Sequence, residues 1–338
     1  PRTGYPDKIT ATGDSITRAA NATLPIGEHP ELSWATGTDA SVNSVYKRIL
    51  AANPGISGNN SNVAVSGSKM AALNAQMQAA VAGNPEYVTV VMGGNDICTS
   101  TEAGMTSATD FGTQFGQALA TLSAGAPDAI VFVGSVPDMY KVWQVNRANP
   151  QATQIWGQFG ICQSMFANPA SDAPADEDRR QRVRQRAIDY NAQLRQICAQ
   201  YIHCRYDNGA FFNAALEAAD FGIDYWHPST AGQNKLAAAA AAASFDWTDS
   251  QPPVSSSQLQ VNAGQFTLAL TATDNVGLAG IEYRIGAGAW TRYAAPLPIG
   301  GPTTVTFRAV DVNGNIEEDR TRVIIPLRLY LPQLVRRG

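Results

Sequence analysis

The chain has 338 residues, of which 15% are charged, and its formal net charge is −4. This length allows two domains, with an ample core in the larger one. A modestly negative chain does not favour nucleic acid as a partner. The sequence has no run of about 18 apolar residues, so no transmembrane helix is predicted.

Strands and helices alternate through the first part of the chain. The strands are predicted at 7–12, 61–66, 87–93, 129–135 and 201–206, and the helices at 39–52, 69–82, 108–124, 177–199 and 229–243. Two strand segments, Val88–Met92 and Ala129–Val133, are almost continuously apolar. Such strands are buried on both faces, which indicates an α/β fold with a parallel sheet covered by helices.

The first predicted strand leads into the tetrapeptide Gly13-Asp14-Ser15-Ile16. The glycine allows a sharp turn, after which the Ser15 hydroxyl is expected at the rim of the sheet, with its own backbone N–H free. An acyl-transfer nucleophile needs both of these groups. Taken alone, the tetrapeptide also fits an ordinary turn in which Asp14 or Ser15 caps a helix.

A serine nucleophile needs a base, and the sequence offers three histidines. His29 lies in a loop rich in proline and glycine, and His203 lies in an alternating run that is typical of a strand. His227 follows Asp224 by three residues, so the aspartate can fold back onto the far ring nitrogen. Asp224 and His227 are therefore the predicted orienting acid and base, although alone they also fit a surface loop or half of a metal site. No metal site is predicted, because the sequence has no second histidine at ligand spacing and no Cys-x-x-Cys pair.

Two further strands end in groups that can stabilise a developing oxyanion. The run Val63–Gly67 ends in a glycine whose N–H can approach a substrate closely. The run Val88–Met92 leads into Gly93-Gly94-Asn95-Asp96 and brings the Asn95 amide to the carboxyl end of a strand, where open parallel sheets bind ligands. Taken alone, this second segment is more typical of a strand-to-helix turn.

In their order along the chain, the segments around Ser15, Gly67, Asn95 and His227 match the four blocks of the SGNH (GDSL) hydrolases. The chain resembles this family over about its first three quarters, and most of all its lipase, esterase and phospholipase-B-like members. The resemblance implies a three-layer α/β/α, flavodoxin-like parallel sheet and a serine hydrolase that needs no cofactor. It makes Ser15 the nucleophile and His227 the general base, with Asp224 as the partner of the histidine. The implied oxyanion hole consists of the Ser15 and Gly67 N–H groups and the Asn95 amide. The Gly-x-Ser-x-Gly elbow of the α/β-hydrolases is absent from the sequence.

Four cysteines permit two disulfides in three connectivities. We predict Cys98–Cys162 and Cys198–Cys204, the second of which closes a short loop between a helix end and a strand start. Disulfides indicate an oxidising, extracellular compartment, whereas the alternative is four unrelated thiols in a cytosolic protein. The chain starts at Pro1 without methionine, as a processed secretory precursor does. We therefore expect a secreted or cell-surface protein whose signal peptide has been removed.

Aromatic and other apolar residues are dense in the segment 136–175, between proline-bearing loops. A long irregular insertion in a compact domain is usually functional. Because the segment follows the fourth strand, we expect it at the rim that carries Ser15, where it would form a cap with an acyl-binding wall. An extra helical pair that covers a core edge is an equally weighted alternative.

The pattern changes near Ser250–Ser257, after which turn signals separate short strands. These strands are predicted at 258–261, 265–273, 280–285, 289–293, 303–310 and 320–326. They are typical of a small all-β sandwich, and the segment resembles bacterial Ig-like domains appended to secreted enzymes. The predicted domains are a hydrolase domain at 1–249, a linker at 250–257, and an Ig-like domain at 258–338 that ends in an apolar tail at 324–335.

The leading hypothesis is a secreted serine esterase or lipase that hydrolyses acyl esters or lipids through an acyl-enzyme. The first alternative is a carbohydrate acetyl-esterase that the β-domain targets to polysaccharide or a cell surface. The second is a non-catalytic surface adhesion protein, against which the complete set of site residues argues. In the β-domain, Trp290 and Tyr293 fit a sugar platform, but core or cross-strand positions are the favoured interpretation.

Overall fold

A computed structural model of the protein describes residues 2–325. The chain forms two compact units, Gly4–Thr248 and a second unit that begins at Asp249 and also includes Arg2 and Thr3. Residues 254–257 of the predicted linker belong to the first strand of the second unit, which starts at Val254. The predicted apolar tail lies outside the described residues from position 326 onward.

The first unit is built on a five-stranded parallel sheet with the order β2-β1-β3-β4-β5. Its strands are β1 Ile9–Gly13, β2 Asn60–Asn62, β3 Tyr87–Val91, β4 Ile130–Val133 and β5 Cys204–Tyr206. This order is that of flavodoxin-like sheets, which bind ligands outside the carboxyl ends of their strands. The predicted α/β fold with a flavodoxin-like sheet is confirmed.

Nine helices of the described residues belong to this unit: α1 Val45–Ala52, α2 Leu73–Ala82, α3 Gly94–Ile97, α4 Ala108–Gly125, α5 Met139–Asn146, α6 Pro150–Gln158, α7 Gln163–Phe166, α8 Pro174–Cys198 and α9 Thr230–Ala243. The alternation of side chains along β3 explains why they cover both faces of the sheet. Val88 and Val90 pack in one core cluster with α2, α4 and α8, whereas Tyr87 and Val91 pack in another with α1 and α9. Both clusters are buried, so the unit has three layers.

The insertion after β4 is helical rather than irregular, and it consists of α5, α6 and α7. Its large aromatic side chains Trp143, Trp156 and Phe166 are buried in the same core cluster as Val88 and Val90. Trp156 stacks on Phe166 with ring centroids 4.1 Å apart. These aromatic side chains therefore extend the hydrophobic core. Such burial is what we expect if the insertion covers an edge of the core, the second of the two interpretations of segment 136–175.

The second unit contains two antiparallel sheets, with strand orders β10-β7-β6 and β12-β11-β8-β9. Its strands are β6 Val254–Asn262, β7 Gln265–Thr273, β8 Leu278–Ile285, β9 Thr291–Arg292, β10 Leu297–Ile299, β11 Thr303–Asp311 and β12 Arg320–Ile324. Leu268 of β7 packs with Val305 and Phe307 of β11, so both sheets contribute to one core. β10 was not predicted as a separate strand. It lies at the edge of its sheet in the described part of the chain. Pro298 is tolerated there because no other described strand pairs with its outer side and needs the missing N–H.

The Trp290 ring of the second unit contacts two guanidinium groups. Arg284 and Arg308 approach its ring centroid to 4.7 Å and 4.2 Å. The Tyr293 hydroxyl accepts a hydrogen bond from the Leu270 N–H at 3.0 Å. Both aromatic side chains therefore have contacts within the unit, as the favoured interpretation of their positions expects.

Within residues 2–325, none of the helices combines the length and apolar character that crossing a bilayer requires.

Candidate active site

The candidate nucleophile follows β1 in a turn that only glycine can begin. Gly13 has a φ of +138°, and a Cβ at this position would lie 2.3 Å from the Val91 carbonyl oxygen and 2.7 Å from Thr17 Oγ1. The buried Gln76 side chain of α2 binds both backbone polar groups of Gly13. It accepts from the Gly13 N–H at 2.7 Å and donates to the Gly13 carbonyl at 2.9 Å. Ser15 is thereby placed at the carboxyl edge of the sheet.

The structure brings Ser15, His227 and Asp224 together in one hydrogen-bonded relay. Ser15 Oγ lies 2.8 Å from His227 Nε2, and His227 Nδ1 lies 2.6 Å from Asp224 Oδ2. All three side chains are buried, which strengthens the interactions between them. In this arrangement the imidazole can take the hydroxyl proton on one side while the carboxylate fixes its tautomer on the other.

The Asp224 carboxylate is fixed by four donors. Its Oδ1 atom accepts from the Trp226 and His227 N–H groups at 3.0 Å and 2.9 Å. Its Oδ2 atom accepts from the Asn21 amide at 2.8 Å as well as from the imidazole. Burial raises the pKa of Asp224, but the hydrogen bond and charge of His227, together with the Asn21 amide, outweigh burial and hold this pKa below its usual value. The carboxylate is therefore kept ionised.

The two candidate oxyanion loops are joined by a hydrogen bond. Asn95, in the first turn of α3, donates from Nδ2 to the Ser68 carbonyl at 3.0 Å, next to Gly67. Gly67 is exposed and has a φ of +79°, and nothing lies within 4 Å of a Cβ built on it. Among the described residues, the backbone N–H groups of Ser15 and Gly67 donate to no acceptor. Two backbone donors and the second hydrogen of the Asn95 amide are thus available for a ligand oxygen.

Helix α3, which carries Asn95, is fixed on both sides. The Cys98–Cys162 disulfide follows its last turn and connects it to the start of α7. The buried Asp96 carboxylate accepts from the Met70 N–H at 2.9 Å and from the Thr106 hydroxyl at 2.7 Å. The structure also contains the Cys198–Cys204 disulfide between the end of α8 and β5, so both pairings are those expected from the sequence.

The other two histidines lie elsewhere. His29 is near the Pro25 carbonyl and Glu31, and the His203 carbonyl accepts from the Val131 N–H beside β5. Neither histidine takes part in the relay.

The loop that carries His227 contacts the insertion after β4. The Tyr225 hydroxyl donates to Gln151 of α6 at 2.8 Å. The insertion therefore supports the relay from outside the sheet.

Three residues around the relay have no catalytic role predicted from the sequence. Gln76 and Asn21 act on partners 63 and 203 residues away, so no local pattern indicates them. Asp14 precedes the candidate nucleophile and is buried, and its Oδ1 atom accepts from the Ile16 N–H at 3.0 Å. Burial raises the pKa of Asp14 to about 7, although the Ile16 N–H and the charge of His227 lower it.

Among the described residues, one group of carboxylates is close enough to hold a metal ion, and it lies in the second unit. Asp249, Asp274 and Asp311 have oxygens within 4.8 Å of one another. Side-chain amides already donate to two of them, from Asn313 to Asp249 and from Asn315 to Asp311. Burial raises the pKa of Asp311. This group has no residue in common with the relay.

One family of known proteins matches most of the first unit. Residues 9–240 match the family described as GDSL-like lipase/acylhydrolase. No curated protein matches the chain.

Several solved structures are similar to about 70% of the chain. TesA is 16% identical, with a TM-score of 0.43, over 70% of this chain and 97% of its own. The lipase Lip_vut3 from a goat rumen metagenome is 15% identical, with a TM-score of 0.43, over 70% and 96%. A carbohydrate esterase family 3 structure from Talaromyces cellulolyticus is 15% identical, with a TM-score of 0.41, over 69% and 93%. These identities are too low to transfer a substrate to this chain. Since the family match at residues 9–240 spans well over half of the chain, the protein belongs to the GDSL-like lipase/acylhydrolase family and is a carboxylic ester hydrolase.

Proposed function

We propose that the protein is a secreted serine esterase or lipase that hydrolyses acyl esters or lipids through an acyl-enzyme. The observation that carries the proposal is the relay from Ser15 through His227 to Asp224, with heavy-atom distances of 2.8 Å and 2.6 Å. A nucleophile, a base and an orienting acid in hydrogen-bond contact are what acyl transfer requires. The two disulfides support an oxidising compartment and hence secretion.

The proposed reaction has two halves. Ser15 Oγ attacks the ester carbonyl while His227 Nε2 takes the hydroxyl proton. The new negative charge on the carbonyl oxygen is stabilised by the Ser15 and Gly67 N–H groups and the Asn95 amide. His227 then returns the proton to the leaving alcohol as the carbon–oxygen bond of the ester breaks. In the second half, His227 Nε2 takes a proton from water, and the water oxygen attacks the acyl carbon. The bond to Ser15 Oγ then breaks, His227 returns the proton to Oγ, and the carboxylic acid leaves.

Exposed apolar side chains near the relay favour acyl substrates. Leu24 and Ile26, in the loop after Ser15, are 70% and 78% exposed, and Val65, two residues before Gly67, is 55% exposed. The two loops are tied together, because the Ser66 hydroxyl donates to Glu28 at 2.6 Å. Large apolar side chains exposed on the loop after Ser15 and on the loop that carries Gly67 fit a hydrocarbon chain better than a polar sugar.

The test is hydrolysis of p-nitrophenyl esters from acetate to palmitate by wild type, Ser15→Ala and a control, Ser57→Ala. Ser57 is an exposed serine outside the site, so its variant should behave as wild type. We expect Ser15→Ala to fold normally and lose activity, and wild type to prefer medium or long chains. Activity confined to acetate would instead favour an acetyl-esterase, to be followed on acetylated polysaccharide. Equal rates for wild type and Ser15→Ala would refute the proposed mechanism.

A further inference from the structure

The side chain of Asn21 connects the candidate acid to a neighbouring loop. Its Nδ2 atom donates to Asp224 Oδ2 at 2.8 Å, and this is the same oxygen that contacts His227 Nδ1. Its Oδ1 atom accepts from the Gly27 N–H at 3.1 Å. The Asn21 N–H also donates to the Gly27 carbonyl at 2.7 Å. The loop between residues 21 and 27 is therefore closed by the side chain and the backbone N–H of Asn21 together.

The two partners of the side chain explain why the residue is an asparagine. A backbone N–H needs an acceptor and an ionised carboxylate needs a donor, and an amide supplies both from one planar group. An aspartate at this position has no hydrogen to donate to Asp224 when ionised. The backbone fits as well, because Asn21 has a φ of +52°, a conformation that asparagine and glycine adopt most readily.

The backbone of Asn21 is also packed against the loop that carries the acid. Its carbonyl accepts from the Ile223 N–H at 3.2 Å. A Cβ on Gly222 would lie 2.1 Å from the same carbonyl oxygen, so the two segments are in direct contact. The position of Asn21 relative to Asp224 is therefore fixed by the backbone as well as by the side chain.

We infer that Asn21 is a positioning residue of the catalytic relay. Its amide holds Asp224 in line with His227, and it connects Asp224 to the loop that bears Leu24 and Ile26. This inference rests on the proposed function, since the relay must be catalytic for its alignment to matter. Asn21 acts through Asp224. Losing the amide should therefore impair the proton-transfer steps. The backbone hydrogen bond from the residue-21 N–H to the Gly27 carbonyl still closes the loop, so ester binding should be nearly unchanged.

Asn21→Gly removes the amide and keeps a backbone that suits a positive φ. We expect kcat to fall about 10- to 100-fold with KM nearly unchanged, the loss typical of removing a hydrogen bond to a charged group. The matched control is Asn84→Gly, because Asn84 has a φ of +51° and is exposed outside the site. This control should retain the wild-type kcat. A kcat of Asn21→Gly equal to that of the control, or a loss confined to KM, would overturn the inference.

Asn21→Asp provides a second readout that a purely structural role would not change. The introduced carboxyl group stands where the amide donated to Asp224 Oδ2 at 2.8 Å. A like charge at this distance raises the pKa of the carboxyl pair, so Asp224 binds a proton at higher pH than in wild type. The acidic limb of the pH profile of kcat/KM should therefore move to higher pH. An unmoved limb would overturn the inference even if Asn21→Gly failed to fold.

Ser15→Ala and wild type are assayed beside these variants on p-nitrophenyl butyrate. If wild type does not exceed Ser15→Ala, the proposed function fails. If wild type exceeds Ser15→Ala but Asn21→Gly matches wild type, the inference about Asn21 alone fails.

Discussion

The two disulfides should contribute unequally to stability, because they close loops of very different length. Cys98–Cys162 spans 64 residues of sequence, whereas Cys198–Cys204 spans 6. A disulfide stabilises mainly by restricting the unfolded chain, and the restriction grows with the logarithm of loop length. The chain-entropy relation gives about 4 kcal/mol for the longer loop and about 2 kcal/mol for the shorter one.

The perturbation is a pair of double variants, Cys98→Ala with Cys162→Ala and Cys198→Ala with Cys204→Ala. Each variant removes one disulfide that joins a buried cysteine to a partly buried one, so the difference between the variants reports chiefly on loop length. The assay is equilibrium unfolding in urea, followed by the helical circular dichroism signal. The described helices all lie in the first unit, so this signal reports on that unit.

We expect the variant without Cys98–Cys162 to lose about 2 kcal/mol more than the variant without Cys198–Cys204. It should still hydrolyse esters at low urea, because other contacts hold α3. The Ser164 hydroxyl donates to the Ile97 carbonyl at 2.6 Å, and the Ser164 N–H donates to the Thr99 carbonyl at 2.8 Å. Equal losses of stability, or a larger loss for the shorter loop, would refute the entropic reasoning.

Two further predictions concern the site. Asn95→Ala should lower kcat about 10²–10³-fold with little change in KM, because the proposed role of the amide in the reaction is to stabilise the oxyanion of the transition state. A loss confined to KM on p-nitrophenyl butyrate would contradict this role. The pKa of Asp14 is about 4 in the unfolded chain and is raised to about 7 in the folded protein. Its contribution to the free energy of unfolding is therefore fully present below pH 4 and is lost as pH rises from 4 to about 7. Asp14→Asn should therefore flatten the decline of the urea midpoint between pH 4 and pH 7 and be more stable than wild type at pH 8. An unchanged slope would contradict the buried, protonated state of Asp14.

The sheet and the positions of the site residues could be predicted from the sequence because both have local signatures. Continuous apolar runs identify strands buried on both faces, and parallel strands bring their carboxyl ends to one edge. The segments around Ser15, Gly67 and Asn95 each follow such a strand, and the structure places Asn95 and the Gly67 loop in contact through the Ser68 carbonyl.

Element boundaries were less predictable because single side chains set them. The first helix was expected at 39–52 but begins at Val45, since the Ser44 side chain accepts from the Lys47 N–H and caps it. The insertion was expected to be irregular, yet Asp138 and Asn149 cap α5 and α6, and Pro150 occupies the first turn of α6. These capping residues are visible in the sequence, but the dense aromatic pattern between them has no clear helical period.

The polar residues around the relay could not be predicted, and their chemistry explains why they are suited to it. Gln76 holds the peptide of Gly13, Gln233 of α9 donates to the Ile16 carbonyl at 2.9 Å, and Asn21 holds Asp224. Each is a neutral amide that fixes its partners with a donor and an acceptor and adds no charge near His227. A lysine has no acceptor and an ionised glutamate has no donor, so neither could hold the same partners at these positions. The alignment of the relay is thus achieved by neutral groups, which leaves Asp224 as its ionised member.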